Sequence, residues 1–385
     1  MTAIERIPFH RPTIGPAERA AVLGVLDSGW LTTGPRTAAF EGAFAAYVGA
    51  THAVAVNSAT AALHLALEGL GVGADDEVIV PTYTFAASGE VALYLRARPV
   101  LVDVDPLTVN VDPSAVAAAV TARTRAVEVV HVAGLPADLG DRFAGTLGRA
   151  GAFSFYATKT ITTGEGGMLV TDDDALADRA RTMRLHGIGR DAWKRYTAAG
   201  SWYYEIEAAG FKDNLTDLAA AVGLVQLGRA QELRAARAAI ATRYLEGLAV
   251  AASDGRLVLP PGADDPAHAW HLFMIRLGPE ARPTDVTDPA LPGVAGLPDG
   301  LRALASRRAR AVDALGDAGI GVSVHFIPLH LHPLYREMGY RAGQFPVAEA
   351  AYAGEISLPI WPGMTADQVD RVIDAVDAAT RGGRG

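Results

Sequence analysis

Apolar residues recur along the first two-thirds of the chain in two alternating rhythms. Helical spacing runs through residues 16–27, stopping at Ser28-Gly29, and again through 37–47. A short apolar run, Ala53-Val-Ala-Val56, reads as a strand, and Asn57-Ser58 then caps a helix reaching about Leu70. Strand patterns follow at 77–80, stopped by Pro81, and at 99–103. Asp112 opens a helix over 113–120, and 126–132 reads as a further strand. Such alternation predicts an α/β fold with a mostly parallel sheet covered by helices. Residues 218–249 are strongly helical and link this lobe to a smaller α+β C-terminal one. The smaller lobe has strands at 272–277 and 322–327, an irregular Pro- and Gly-rich stretch at 278–300, a closing helix at 366–379 and a frayed tail at 381–385. The expected division is a large domain over 1–240 and a small one over 241–385.

One lysine stands out against this pattern. Residues 152–156 and 168–171 read as buried strands, and Gly164–Gly167 as a tight turn between them, with Lys159 in the connection. An unpaired buried ammonium is expensive. A desolvated lysine with a lowered pKa is a nucleophile able to form a Schiff base. A lysine snorkelling from a strand end would fit the same spacing. A helix N-terminus at Ser58-Ala59-Thr60 is suited to a phosphate, and Ser154, a few positions before Lys159, has a hydroxyl that could reach the same group. Phe85, after the next strand, could stack on a planar ring. Each alone has a plain reading as an N-cap, a core aromatic or a strand residue.

Composition narrows the class. At 385 residues the chain is long enough for two lobes. Its net charge of −9 argues against a nucleic-acid surface. The absence of cysteine excludes disulfides and suits a reducing compartment. The N-terminus lacks an apolar signal region, and no apolar run approaches the ~20 residues that span a bilayer. These features point to a cytoplasmic enzyme.

Taken in order, the motifs resemble the sugar-nucleotide aminotransferases of the DegT/DnrJ/EryC1/StrS family. The resemblance is carried by Gly29-Trp-Leu-Thr-Thr-Gly-Pro35, by His52-Ala-Val-Ala-Val-Asn-Ser-Ala-Thr-Ala-Ala-Leu63, by Asp76-Glu-Val-Ile-Val-Pro81 and by the Lys159 segment. It continues through Gly210-Phe-Lys-Asp-Asn-Leu-Thr-Asp217, Val324-His-Phe-Ile-Pro-Leu-His-Leu-His-Pro333 and Ile356-Ser-Leu-Pro-Ile-Trp-Pro-Gly363. It implies the fold-type I aminotransferase architecture, with pyridoxal phosphate as cofactor. By the same resemblance Lys159 carries the cofactor and shuttles a proton, Ser58, Ala59, Thr60 and Ser154 hold the phosphate, and Phe85 stacks on the ring. Asn214 matches a residue that reaches the neighbouring subunit's phosphate, which implies a homodimer with shared sites. Phe9, Thr32, Thr33, His325 and His330 match positions lining the sugar-nucleotide pocket, and His131 and His186 lie nearby in the pattern. Glutamate is the implied amine donor, and the Thr160–Gly167 form resembles members acting on 4-keto sugars. Family dehydratases carry histidine where this chain has Lys159.

The resemblance breaks once. Between His131 and Phe153 the family pattern has a further strand whose aspartate pairs with the pyridinium nitrogen. Here about twenty residues with five glycines and no apolar period join the two strands, where a crossover ordinarily contains a helix. Roughly two dozen residues of the family pattern are missing near 139–140, and Asp138 and Asp141 are the only carboxylates left in the stretch. Loss of one member of a buried charged pair costs on the order of 3–5 kcal/mol. Three outcomes follow from the gap: a sheet closed around it, an impaired member that binds cofactor or a partner subunit without turnover, or a natural chain containing a segment this sequence lacks.

Overall fold

The computed structural model describes residues 5–137, 144–189, 203–278 and 293–381. The N-terminal lobe opens with helices α1 (Pro16–Ser28) and α2 (Pro35–Val48), strand β1 (His52–Val56) and helix α3 (Ala59–Gly69). It continues with β2 (Glu77–Pro81), α4 (Ala86–Tyr94), β3 (Arg98–Val102), α5 (Pro113–Ala119) and β4 (Thr124–Val127). Then come β5 (Gly151–Ser154), β6 (Gly167–Thr171), α6 (Asp174–Met183) and α7 (Asp217–Gly228). The C-terminal lobe holds α8 (Ala230–Gly247), α9 (Ala249–Ser253), β7 (Leu257–Val258), β8 (Phe273–Leu277) and α10 (Asp299–Asp317). It ends with α11 (Pro333–Glu337), α12 (Pro346–Gly354), β9 (Glu355–Leu358) and α13 (Ala366–Thr380).

The helix starts follow local chemistry. Ser58, Asp112, Asp173, Thr216 and Thr365 each accept a backbone N–H from the first turn of the helix that follows, which satisfies donors a helix end otherwise leaves unpaired. The helix expected over 218–249 is three helices, broken at Arg229 and Leu248. The strand expected over 322–327 reduces to a single bridge, Ser323 to Ser357. The sheet partner in the small lobe is β9 instead, antiparallel to β8, with β7 on the other side. Ile240 and Tyr244 of α8 pack with Phe273, Ile356 and Val372 in that lobe's core.

The large lobe's strands form two separate three-stranded ladders. One is β3-β2-β4, with parallel pairs, and the other is β1-β6-β5, with β6 antiparallel to both neighbours. Parallel pairing is therefore confined to the β3-β2-β4 ladder, where α4 and α5 provide the crossovers, and the second ladder is antiparallel. Among the described residues no ladder joins β4 to β5, and this break falls in the connection where the family pattern is short. The strand expected over 126–132 ends at Val127. Ala126 of β4 and, beyond the strand's end, Val130 pack on the core, while Val127 and Val129 are exposed. Asp138 and Asp141 lie outside the described residues.

Candidate active site

Lys159 sits in the loop between β5 and β6. Phe155 N–H donates to the Gly166 carbonyl, Thr163 N–H to the Phe155 carbonyl and Lys159 N–H to the Tyr156 carbonyl, each at 2.9–3.0 Å. These bonds fold the loop back on the strand ends and aim the lysine side chain inward. Its Nζ lies 3.1 Å from His271 Nε2. Burial lowers the pKa of the amine, because the ammonium loses hydration and no carboxylate among the described residues bonds to it. His271 precedes β8, and its backbone is pinned: Arg237 Nη1 donates to the Trp270 and His271 carbonyls and Leu272 N–H to the Ala133 carbonyl. Its Nδ1 is shut off from solvent with no partner among the described residues. Desolvation first, then the charges of Lys159 and Arg237, hold its imidazole well below the ordinary value, so it is neutral. No carboxylate bonds to Lys159, His271, His10 or Arg237 among the described residues. His10 instead binds the lysine loop itself, Nε2 to the Ala157 carbonyl at 2.6 Å.

The second half of the site gathers round Gly167. In the β1-β6-β5 register Gly167 stands between Val56 and Ser154. A Cβ added there would lie 2.4 Å from the Ser58 carbonyl carbon and oxygen and 2.6 Å from Ala59 N. Only a residue without a side chain lets β6 pass beneath the α3 N-terminus this closely. The contact brings Ser58, Ala59 and Ser154 to one place. Ser58 Oγ caps α3 by accepting from Ala61 N–H at 3.1 Å, and the amides of the first turn, including those of Ala59 and Thr60, have no carbonyl partner inside the helix. Such an end favours an anion. A phosphate at the α3 end and an aldehyde at the Lys159 amine therefore match the donor chemistry of the two ends, and pyridoxal phosphate carries both groups.

The other expected residues separate into those at the surface of this region and those closed to it. Phe85, just before α4, is 63% exposed with its ring edge-on to Phe326. Thr33 donates to the Leu215 carbonyl at 2.5 Å and accepts from Asn214 Nδ2 at 2.7 Å. Asn214 also bridges β1 at Val56 and accepts from Lys212 Nζ. Thr32 is exposed, its carbonyl accepting from Asp217 N–H. Phe9 stacks on His325 with ring centroids 5.6 Å apart. His330 corrects the expectation made for it. It is 0% exposed, with Nδ1 on Thr82 Oγ1 at 2.8 Å and Nε2 on Glu349 Oε1 at 2.9 Å. A ring with both nitrogens committed inside the core cannot line a pocket. His131 accepts from Ala137 N–H and His186 takes a left-handed turn position, φ 60, in the loop after α6.

Spacing alone did not single out His271, which meets Lys159, or Glu355 and Ser357, whose side chains bond to one another and, through Ser357, to His325. His271 lies in Trp270-His271-Leu272 at the entry to an apolar strand, a place where a histidine reads as structural. Glu355 opens the Ile356-Ser-Leu-Pro motif, but nothing in the pattern says it is buried.

The comparisons with known proteins agree with this arrangement. The sequence profile of the DegT/DnrJ/EryC1/StrS aminotransferase family matches residues 12–141, 139–288 and 300–377. The first two stretches overlap at 139–141, so the family pattern restarts where the sheet is split. The chain is 42% identical to the spore coat polysaccharide biosynthesis protein SpsC of Bacillus subtilis, covering 98% of this chain and 97% of that protein. That alignment runs over 404 residues, longer than the 385 of this chain, so the two differ by inserted residues. Among solved structures, the PLP-form of the putative sugar aminotransferase Spr1654 from Streptococcus pneumoniae superposes with a TM-score of 0.84 at 29% identity, covering 98% of this chain and 99% of that one. The aminotransferase TlmJ from Streptoalloteichus hindustanus superposes with a TM-score of 0.82 at 33% identity, covering 97% and 99%. With the profile spanning most of its length, the chain belongs to the DegT/DnrJ/EryC1/StrS aminotransferase family.

Proposed function

We propose that the protein is a pyridoxal-phosphate-dependent sugar aminotransferase that converts a keto group on a nucleotide-activated deoxysugar, at the 4-position, to an amine, with glutamate as donor. The observation that carries the reading is the amine of Lys159, desolvated and hydrogen-bonded among the described residues to a neutral imidazole, one loop away from the glycine-supported α3 N-terminus. The bound cofactor supplies an electron sink and a carbonyl for amino transfer. The chain supplies the rest. Lys159 holds the cofactor and, once released, moves a proton at its Nζ, already in place for the transfer. Ser58, Ala59, Thr60 and Ser154 bind the phosphate, and Phe85, exposed on one side, covers the ring. Asn214 reaches a partner subunit's phosphate in a homodimer. Phe9, Thr32, Thr33 and His325 border the sugar nucleotide. The cysteine-free composition suits the cytoplasm.

Purified protein mixed with pyridoxal phosphate is expected to develop the absorption band of lysine-bound cofactor, and Lys159→Ala to abolish it. Retention of both band and activity by Lys159→Ala overturns the reading. A second reading, a member that binds cofactor without turnover, is favoured by the break between β4 and β5 and by the absence of a carboxylate beside the lysine cluster among the described residues. A single-turnover experiment separates the two. An enzyme converts its bound cofactor to the amine form when given glutamate, whereas a binding member leaves the spectrum unchanged.

A further inference from the structure

Beside the lysine lies a chain of three side chains that the proposed reaction does not yet use. Glu355 opens β9 and is 0% exposed. Its Oε1 is 2.5 Å from Ser357 Oγ, and Ser357 Oγ is 2.8 Å from His325 Nδ1. Its Oε2 accepts the backbone N–H of His325 at 2.7 Å. The links are fixed by the fold. Glu355 and Ser357 are two residues apart on β9, so they share one side of the strand, and Ser323 and Ser357 exchange backbone hydrogen bonds that hold the His325 segment against β9. Tyr83 OH clamps the His325 carbonyl, and Phe9 stacks on the imidazole. Nδ1 is thereby committed to Ser357, leaving Nε2 as the nitrogen free to act.

From this geometry we propose that Glu355, Ser357 and His325 form a proton relay, in which the carboxyl of Glu355 decides whether His325 Nε2 presents a hydrogen-bond donor or an acceptor to the substrate side of the site. The bookkeeping closes. With Glu355 protonated, Oε1–H donates to Ser357 Oγ, Ser357 O–H donates to His325 Nδ1, and the imidazole proton sits on Nε2. When that Nε2 proton passes to a base at the site, Nδ1 takes the serine proton and the serine takes the glutamate proton. One proton has left at Nε2, the carboxyl is ionised and the imidazole is neutral before and after. Re-protonation runs the three shifts backward. Tautomer control of this kind gives a histidine a defined role as acid or base.

The electrostatics support the arrangement. Burial pushes the Glu355 carboxyl up to about 8, against smaller lowering effects from Ser357, the His325 N–H and the Arg308 charge. The carboxyl thus holds a proton near neutral pH. Desolvation, with the Lys159 charge second, holds the His325 imidazole down to about 4, so it stays neutral through the same range. Other groups acting on the pair are the phenol of Tyr83 and the neutral imidazole of His271. His325 is therefore a candidate acid–base group, and Glu355 and Ser357 are positioning residues acting through it.

This inference rests on the aminotransferase reading only for what Nε2 faces, and its test needs neither cofactor nor turnover. The full chain, labelled with nitrogen-15 at its histidines, is followed by NMR from pH 5.5 to 9.5, with the His325 signals assigned by their loss in His325→Gln. The expected result is that the two His325 nitrogens exchange their protonated and unprotonated shifts with a midpoint near 8, with no imidazolium forming. Glu355→Gln should remove that transition, and Ser357→Ala should uncouple His325 from it. A folded Ser357→Ala protein that keeps the wild-type transition overturns the relay. So does a wild-type His325 that keeps one tautomer throughout or titrates to imidazolium within the range. If the relay holds but no lysine-bound cofactor band forms, the proposed function fails and the relay stands.

Discussion

Replacing Gly167 by alanine tests the close approach on which the phosphate end depends. The backbone angle at Gly167 lies outside the left-handed region, so a methyl group is conformationally allowed and the whole effect is steric. The added carbon would sit 2.4 Å from Ser58 C and O and 2.6 Å from Ala59 N. Carbon contacts settle at about 3.5–4.0 Å, so β6 and the α3 N-terminus must part by about 1 Å. Neither side is a flexible side chain. β6 is paired on both edges and Ser58 caps a buried helix. Overpacking of this kind costs about 1–3 kcal/mol, and a rigid backbone places the expectation at about 3. The same shift misaligns the amides of Ala59 and Thr60, and hydrogen bonds to a charged group are worth about 1.5–3 kcal/mol each. Affinity for pyridoxal phosphate should fall at least about tenfold, or 1.4 kcal/mol. The measurements are the urea midpoint of the cofactor-free protein and a spectroscopic cofactor titration. Gly164→Ala is the control. It has φ +84 and nothing within 4 Å, so it adds backbone strain of about 1 kcal/mol and leaves affinity unchanged. If Gly167→Ala unfolds no earlier than Gly164→Ala and binds cofactor as wild type does, the cradle argument is refuted.

Three more outcomes follow from the structure. Asp217 is 2% exposed and accepts from Gly34, Arg36 and Thr37 N–H groups and from Thr37 Oγ1. Asp217→Ala should cost about 3 kcal/mol or more in urea unfolding, by stranding the donors that open α2. Glu128 is buried with its carboxyl pushed up to about 8 from an ordinary 4.5. Its folded pKa is the higher one, so its stabilisation is full below pH 4.5 and is lost as pH rises through 8. Stability measured across that window should fall in wild type and fall less in Glu128→Gln, and equal slopes would remove the assignment. Val127→Lys should stay within about 0.5 kcal/mol of wild type, because the Val127 side chain is exposed. Val80→Lys, fully buried in the central β2, should cost more than about 4 kcal/mol.

Much of the site was legible because it depends on local signals. Ser58 stands where a strand turns into a helix, and a capping hydroxyl there follows from sequence neighbours alone. Lys159 between two apolar runs fitted a desolvated amine or a snorkelling one, and the family motifs and its burial in the structure favour the first. The misses have a common cause. His330 shares its sequence segment with His325, yet one ring is sealed between Thr82 and Glu349 and the other stacks at the site edge. Short spacing cannot tell which way two nearby loop residues face. The strand expected over 322–327 failed in the same way, since its apolar run is used for packing while β9 supplies the ladder.

The alternating α/β plan, the helix caps, the lysine with its family motifs and the place where the family pattern is short can be read along the chain. Each rests on residues within a few positions of one another, where spacing and side-chain chemistry act directly. The fold alone reveals that no ladder joins β4 to β5 among the described residues, that Gly167 carries the α3 N-terminus, that His271 meets Lys159, and that Glu355 reaches His325 through Ser357. Those facts depend on contacts between segments some 30 to more than 100 residues apart. Burial and strand register set such contacts, and neither is written in any local pattern.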